Sequence, residues 1–162
     1  MRDRRTLLLA AALTAAVVST GCAHAPDDYS PDQIIALERG ALDRWGKGDP
    51  QGYYDIMAGD VSYFDPISEK RLDGLAALKA HVAPFAGKIS IERSDLINPQ
   101  VRRDGNIAIL TFNLVDTGAQ IAGGPKGTAR WNSTEVYQRL EGKWKIVHSH
   151  WSYTVPELKS AG

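Results

Sequence analysis

In this sequence of 162 residues, the side chains able to do chemistry fall at short, regular spacings. Tyr63 and Asp65 are two residues apart, so an extended chain puts both on one face. A carboxylate base beside a phenol donor suits proton abstraction next to a carbonyl, where an oxyanion must be stabilised; Tyr53 or Tyr54 could also donate. Asp65 also precedes Pro66, and Asp before Pro commonly starts a turn by satisfying backbone N–H groups. Alternation along 128–140 sets Trp131, Ser133, Glu135 and Tyr137 on one side of a strand. In a semi-apolar cavity Glu135 would be a raised-pKa acid or base, and beside an indole it would attract a cation. On an open sheet it would pair with Arg130 or Arg139 instead.

His148 and His150 share a strand face and could ligate a metal with Asp65, His81 or Glu135 as third ligand. The competing reading is a hydrogen-bonded structural pair, and their parity is opposite to that of Trp151. His81 falls at a core-facing helical position. Ser133 and Ser152 lack partners for a nucleophilic triad. No metal centre and no cofactor is assigned.

The elements that position these groups are helices first, then strands. Ser30-Pro31-Asp32 starts a helix carrying Ile34, Leu37, Ala41, Leu42 and Trp45, which Gly46 and Gly48 stop. Asp49-Pro50 opens a short helix through Met57, 61–64 is a short strand, and a third helix follows Gly74. Strands are predicted at 88–97, 100–103, 107–117, 128–140 and 143–153. Turns fall at Asp104-Gly105-Asn106 and Glu141-Gly142, with a glycine-rich loop over 118–127. The expected class is α+β: three N-terminal helices on a curved, mostly antiparallel sheet, with a cup at one end.

Composition narrows the function. The chain has 19 basic and 19 acidic residues, so nothing suggests nucleic acid as a partner. Arg2, Arg4 and Arg5 precede an apolar run of about a dozen residues, too short for a ~30 Å hydrocarbon core, then Ser19-Thr20-Gly21-Cys22. Residues 1–21 therefore read as a secretory signal. Cys22 resembles the lipidated cysteine of bacterial lipoproteins, with Ser19 where a large aliphatic residue is usual; an ordinary cleaved signal is the alternative. Ala23 after the cysteine favours an outer-membrane anchor facing the periplasm. Cleavage removes three basic groups and one acidic group, leaving 16 and 18, a net −2. Residues 22–30 become the anchor and its polar tether.

Lys47-Gly48-Asp49, Tyr63-Phe64-Asp65-Pro66, Leu96-Ile97-Asn98-Pro99, Thr134-Glu135-Val136-Tyr137 and the run Glu141 to Ser152 resemble a SnoaL-like domain of the nuclear transport factor two superfamily. The pattern is most similar to the association domain of calmodulin-dependent protein kinase II and its bacterial relatives. The resemblance implies a cone-shaped domain over 31–155 with a tail at 156–162, a pocket inside the cone, and a homodimer through the sheet. It implies no kinase activity, since the kinase motifs are absent. Where that family places pocket arginines, Asn113, Glu135 and Trp151 appear to the eye here, so anion binding does not carry over. In isomerases and cyclases of the superfamily an acid at the position of Asp65 faces the cavity. The expected pocket is Tyr63, Asn113, Trp131, Glu135, Tyr137 and Trp151, holding an unknown small neutral or cationic organic ligand. The alternatives are an isomerase, cyclase or dehydratase with Asp65 or Glu135 as base, and a non-catalytic dimerisation module.

Overall fold

The computed structural model describes residues 30–154. Helix α1 (Pro31–Trp45) begins where the Ser30 hydroxyl accepts from the Asp32 amide, with proline in its first turn. Its buried face is Ile34, Glu38, Ala41 and Leu42. Gly48 turns the chain at φ +77°, where a Cβ would meet the Ile89 carbonyl at 3.0 Å. Helix α2 (Gln51–Ile56) is short and packs so closely on α1 that a Cβ at Gly52 would lie 2.8 Å from the Arg44 Cβ. Strands β1 (Met57–Phe64) and β2 (Leu72–Asp73) precede α3 (Leu75–Val82), so the helices are interleaved with strands rather than grouped before the sheet.

Then come β3 (Ile89–Ser90), β4 (Arg93–Asp104), β5 (Ile107–Ile121), β6 (Gly127–Leu140) and β7 (Lys143–Tyr153). They form one curled sheet in the order β2-β1-β7-β6-β5-β3, with β4 also on β5; only the β1–β7 pair is parallel. The class is therefore α+β with a mostly antiparallel sheet. The inner face and helices enclose the core, including Ile34, Leu110, Tyr137 and Ile146, none of them exposed.

Several boundaries differ from expectation. The break predicted at Asn98-Pro99 is a bulge inside a continuous β4, with Asn98 at φ +49°. Gly118 likewise bulges β5 instead of ending it; the strand runs on to pair with β3 and β6, leaving only 122–126 as loop. The bulge at Val147 matters most. Tyr137 pairs with Ile146 while Val136 pairs with His148, so Ile146 and Ser149 both point inward. His148 and His150 are thereby turned to the outer face.

Candidate functional site

The helices leave one end of the inner face open as a cavity of about 120 Å³. Its walls are aromatic: Trp45, Tyr53, Tyr54, Tyr63, Trp131 and Trp151. Leu42, Met57, Leu78, Val82 and Leu114, with Pro50, Pro66 and Ile67, complete the apolar lining, and Asp65 and Asp116 supply the carboxyl groups. No Lys, Arg or His is among the described residues that line it. Trp131 and Trp151 meet edge to face at 6.2 Å, and Phe112 backs Trp151 at 5.6 Å. At one wall, Lys79 Nζ sits 5.1 Å from the Tyr54 ring centroid, a cation already resting on a cavity aromatic.

Asp65 is both turn starter and cavity residue. Its Oδ1 accepts the amides of Ile67 (3.0 Å) and Ser68 (2.7 Å), and Oδ2 lies 2.9 Å from His81 Nε2. Burial pushes its pKa up, but the His81 bond, the Ser68 hydroxyl and the two amides together hold it below the usual carboxylate value. Tyr63 is pushed up by burial first, then by the charges of Asp65 and Glu135. Asp116 accepts from the Ser94 hydroxyl (2.6 Å) and Trp131 Nε1 (3.1 Å), and burial raises it nonetheless.

Beneath this lining lies a polar layer. Glu135 is wholly buried; its Oε1 accepts from Ser133 Oγ (3.0 Å) and Ser149 Oγ (2.9 Å). Trp151 Nε1 donates to Ser149 Oγ at 2.9 Å. Glu38, equally buried, accepts from the hydroxyls of Tyr53 (2.7 Å) and Tyr137 (2.8 Å). Burial, only partly offset by these tyrosines, pushes Glu38 up to about 7. Burial and the charge of Glu38 push Glu135 well above the carboxylate range.

Of the expected pocket residues, Tyr63, Trp131 and Trp151 line the cavity, as does Asp65. Glu135 and Tyr137 lie one layer behind it, within the same cluster. Asn113 is displaced: it is exposed on the opposite face and donates to Asn132 Oδ1 at 2.7 Å. The reason is parity, because β5 buries its even-numbered residues and sends Leu114 and Asp116 to the cavity. His81 serves Asp65. His148 Nδ1 lies 2.8 Å from the Ser62 hydroxyl, and both outer histidines flank Phe64. Among the described residues, no group of three or more His, Cys, Asp or Glu could hold a metal ion. Cys22 lies outside the described residues. The sequence reading missed Glu38, Ser149 and Asp116.

Residues 31–155 match the family described as the calcium/calmodulin dependent protein kinase II association domain. A candidate ketosteroid isomerase from Parabacteroides distasonis is 35% identical, with a TM-score of 0.67 over 80% of this chain and 91% of its own. The kinase II hub of S. rosetta is 25% identical, with a TM-score of 0.61 over 76% of this chain and 95% of its own. The hub homology domain of Chlamydamonas reinhardtii, at 21% identity, shares the fold with a TM-score of 0.63 over 77% and 98%. No curated protein matches. The chain therefore belongs to the calcium/calmodulin dependent protein kinase II association domain family.

Proposed function

We propose that this domain is a receptor for a small organic molecule, neutral or cationic, held in the aromatic cup without turnover. One observation carries the reading: six aromatic side chains and the low-pKa Asp65 line the cavity, and the basic groups nearby, Lys79 on the Tyr54 ring and His81 on Asp65, are not among its lining residues. Aromatic faces and a fixed carboxylate attract a cation, each contact with a ring adding about 0.5–2 kcal/mol. The cavity is close to the ~150 Å³ that holds one benzene ring, so a larger ligand would project through the mouth. The test is a tryptophan-fluorescence titration of the purified chain with choline and with its neutral isostere, 3,3-dimethylbutanol. Choline should bind about tenfold tighter, and Asp65→Asn should remove the preference. Absence of binding by either probe would sink the reading.

A second reading rests on Asp65 and Asp116. One cup holds a carboxylate kept ionised and another pushed toward its neutral form, the division of labour an acid–base isomerase uses. The relative from Parabacteroides distasonis adds weight. Conversion of a β,γ-unsaturated ketosteroid to its conjugated enone, followed by ultraviolet absorbance and abolished in Asp65→Asn, would establish it; no turnover would remove it.

The reading includes an exported, lipid-anchored chain: signal 1–21, anchor and tether 22–30, cone domain 31–155 and tail 156–162, facing the periplasm from the outer membrane. Labelling of cells with a fatty-acid probe should mark the chain and fail to mark Cys22→Ala. Self-association is placed on the outer face of the sheet, where Ile97, Ile107 and Ile109 are exposed. Sedimentation should then show a dimer that Ile109→Lys dissociates; a monomeric parent chain would exclude it.

A further inference from the structure

The polar layer behind the cup contains an atom with no partner. Glu135 Oε2 is buried and makes no hydrogen bond, although Oε1 of the same carboxyl accepts two. Such atoms are rare in native proteins, and each calls for a partner. The groups that face Glu135 are Glu38 from α1, Tyr53 from α2 and Tyr63 from β1. From the sheet come Ser133 and Tyr137 on β6, and Ser149 and Trp151 on β7. They comprise one further carboxylate, hydroxyls and an indole, with no cation among them. Tyr53, Tyr63 and Trp151 are also cup walls, so the side chains that surround Glu135 are in part those that line the cavity.

Resting on the reading of the cup as a receptor, we propose that Glu135 is its deep subsite and that the ligand is a primary or secondary organic ammonium, whose N–H donates to Oε2 as the Trp151 indole turns aside. The complement follows from charge and from lone pairs. Once ionised, the Glu135 carboxylate has no counter-ion among the groups that face it and Oε2 has no donor, and a positively charged N–H supplies both. A quaternary ammonium can lie on the aromatic walls but cannot make that bond. In the free chain, burial and Glu38 keep a proton on Glu135. Binding therefore exchanges ions: the carboxyl gives its proton to solvent, and the carboxylate left behind pairs with the incoming ammonium.

The experiment is calorimetry of the purified chain with benzylammonium and benzyltrimethylammonium, in two buffers of different ionisation enthalpy. Benzylammonium should bind about tenfold tighter and release about one proton, with affinity rising with pH until Glu135 ionises unaided. Glu135→Gln should make the two probes equal and end the release. Equal affinities, no proton release, or a preference that survives in Glu135→Gln would each overturn the proposal. If Glu135→Gln does not fold, Glu38→Gln decides: the proton release should persist without Glu38, and its loss would overturn the proposal. Benzyltrimethylammonium separates the two failures: if it binds and benzylammonium binds no better, the deep subsite falls and the receptor stands. If neither binds, both fall.

Discussion

Asp65 and Glu135 are carboxyls against the aromatic rings of one cup, yet their surroundings push them to opposite protonation states. Asp65 takes two backbone amides, which only donate, plus an imidazole, and its pKa falls. Glu135 takes two serine hydroxyls on one oxygen, but complete burial and the charge of Glu38 outweigh them, and its pKa rises. Glu38, held by two tyrosine hydroxyls, rises with it. A hydroxyl can serve either the neutral or the charged form, whereas an amide N–H favours the charge. Depth of burial, which outweighs the donors behind the cup but not in its wall, separates a fixed anion in the wall from a titratable pair behind it.

That contrast is most exposed to pH. Glu38 has a folded pKa of about 7 against an ordinary 4.5, so between those values the folded chain holds a proton that the unfolded chain releases. Stability is therefore greatest at the acid end of that window, begins to fall near pH 4.5 and has lost about 3 kcal/mol once pH passes about 7. Asp65 works in the other direction, but only as pH drops below the ordinary carboxylate range, so it does not mask the effect. Urea unfolding at about pH 5 and about pH 8 should show the loss, and Glu38→Gln should reduce it, leaving the part that Glu135 and Asp116, also raised by burial, contribute with the same sign. A stability that rises across this window would erase the distinction between wall and interior.

The next effect is smaller. Tyr137→Phe leaves Glu38 with Tyr53 as its one remaining hydrogen-bond donor among those described, at a cost of about 1–3 kcal/mol. The cost should be larger at about pH 8, where the carboxylate is charged, than at about pH 5. The same unfolding experiment reads it, and a cost independent of pH would mean that Glu38 stays neutral throughout.

Much of this architecture is readable in the chain because its signals are local. The Ser30-Pro31-Asp32 start, the Glu141-Gly142 turn and the alternation of β6 each depend on a few neighbouring residues. Glu38 was legible too: it lies four residues from both Ile34 and Leu42, in the middle of the buried stripe, where a charged residue signals a buried polar partner. The bulge at Val147 was not, since nothing in Ile146-Val147-His148 distinguishes a bulged strand from a regular one. Gly118 was misread because a glycine that bulges a strand looks like one that ends it. Asn113 was misplaced through the family alignment, against a strict alternation in β5 that pointed to Asp116.

The outer face supplies the smallest effect and the sharpest control. Ser62 and His148 make a hydrogen bond as short as those in the buried layer, 2.8 Å, but at a half-buried position where water can replace either partner. Ser62→Ala should cost less than about 1 kcal/mol. His148 is held below the ordinary imidazole value by burial first, then by the charges of His150 and Arg71; Ser62 is not among the causes. A proton-NMR titration of Ser62→Ala should therefore leave His148 low. A return to the ordinary range would mean that a single hydroxyl, rather than burial, sets titration on the outer face, and the weight given to burial in separating Asp65 from Glu135 would lose its control.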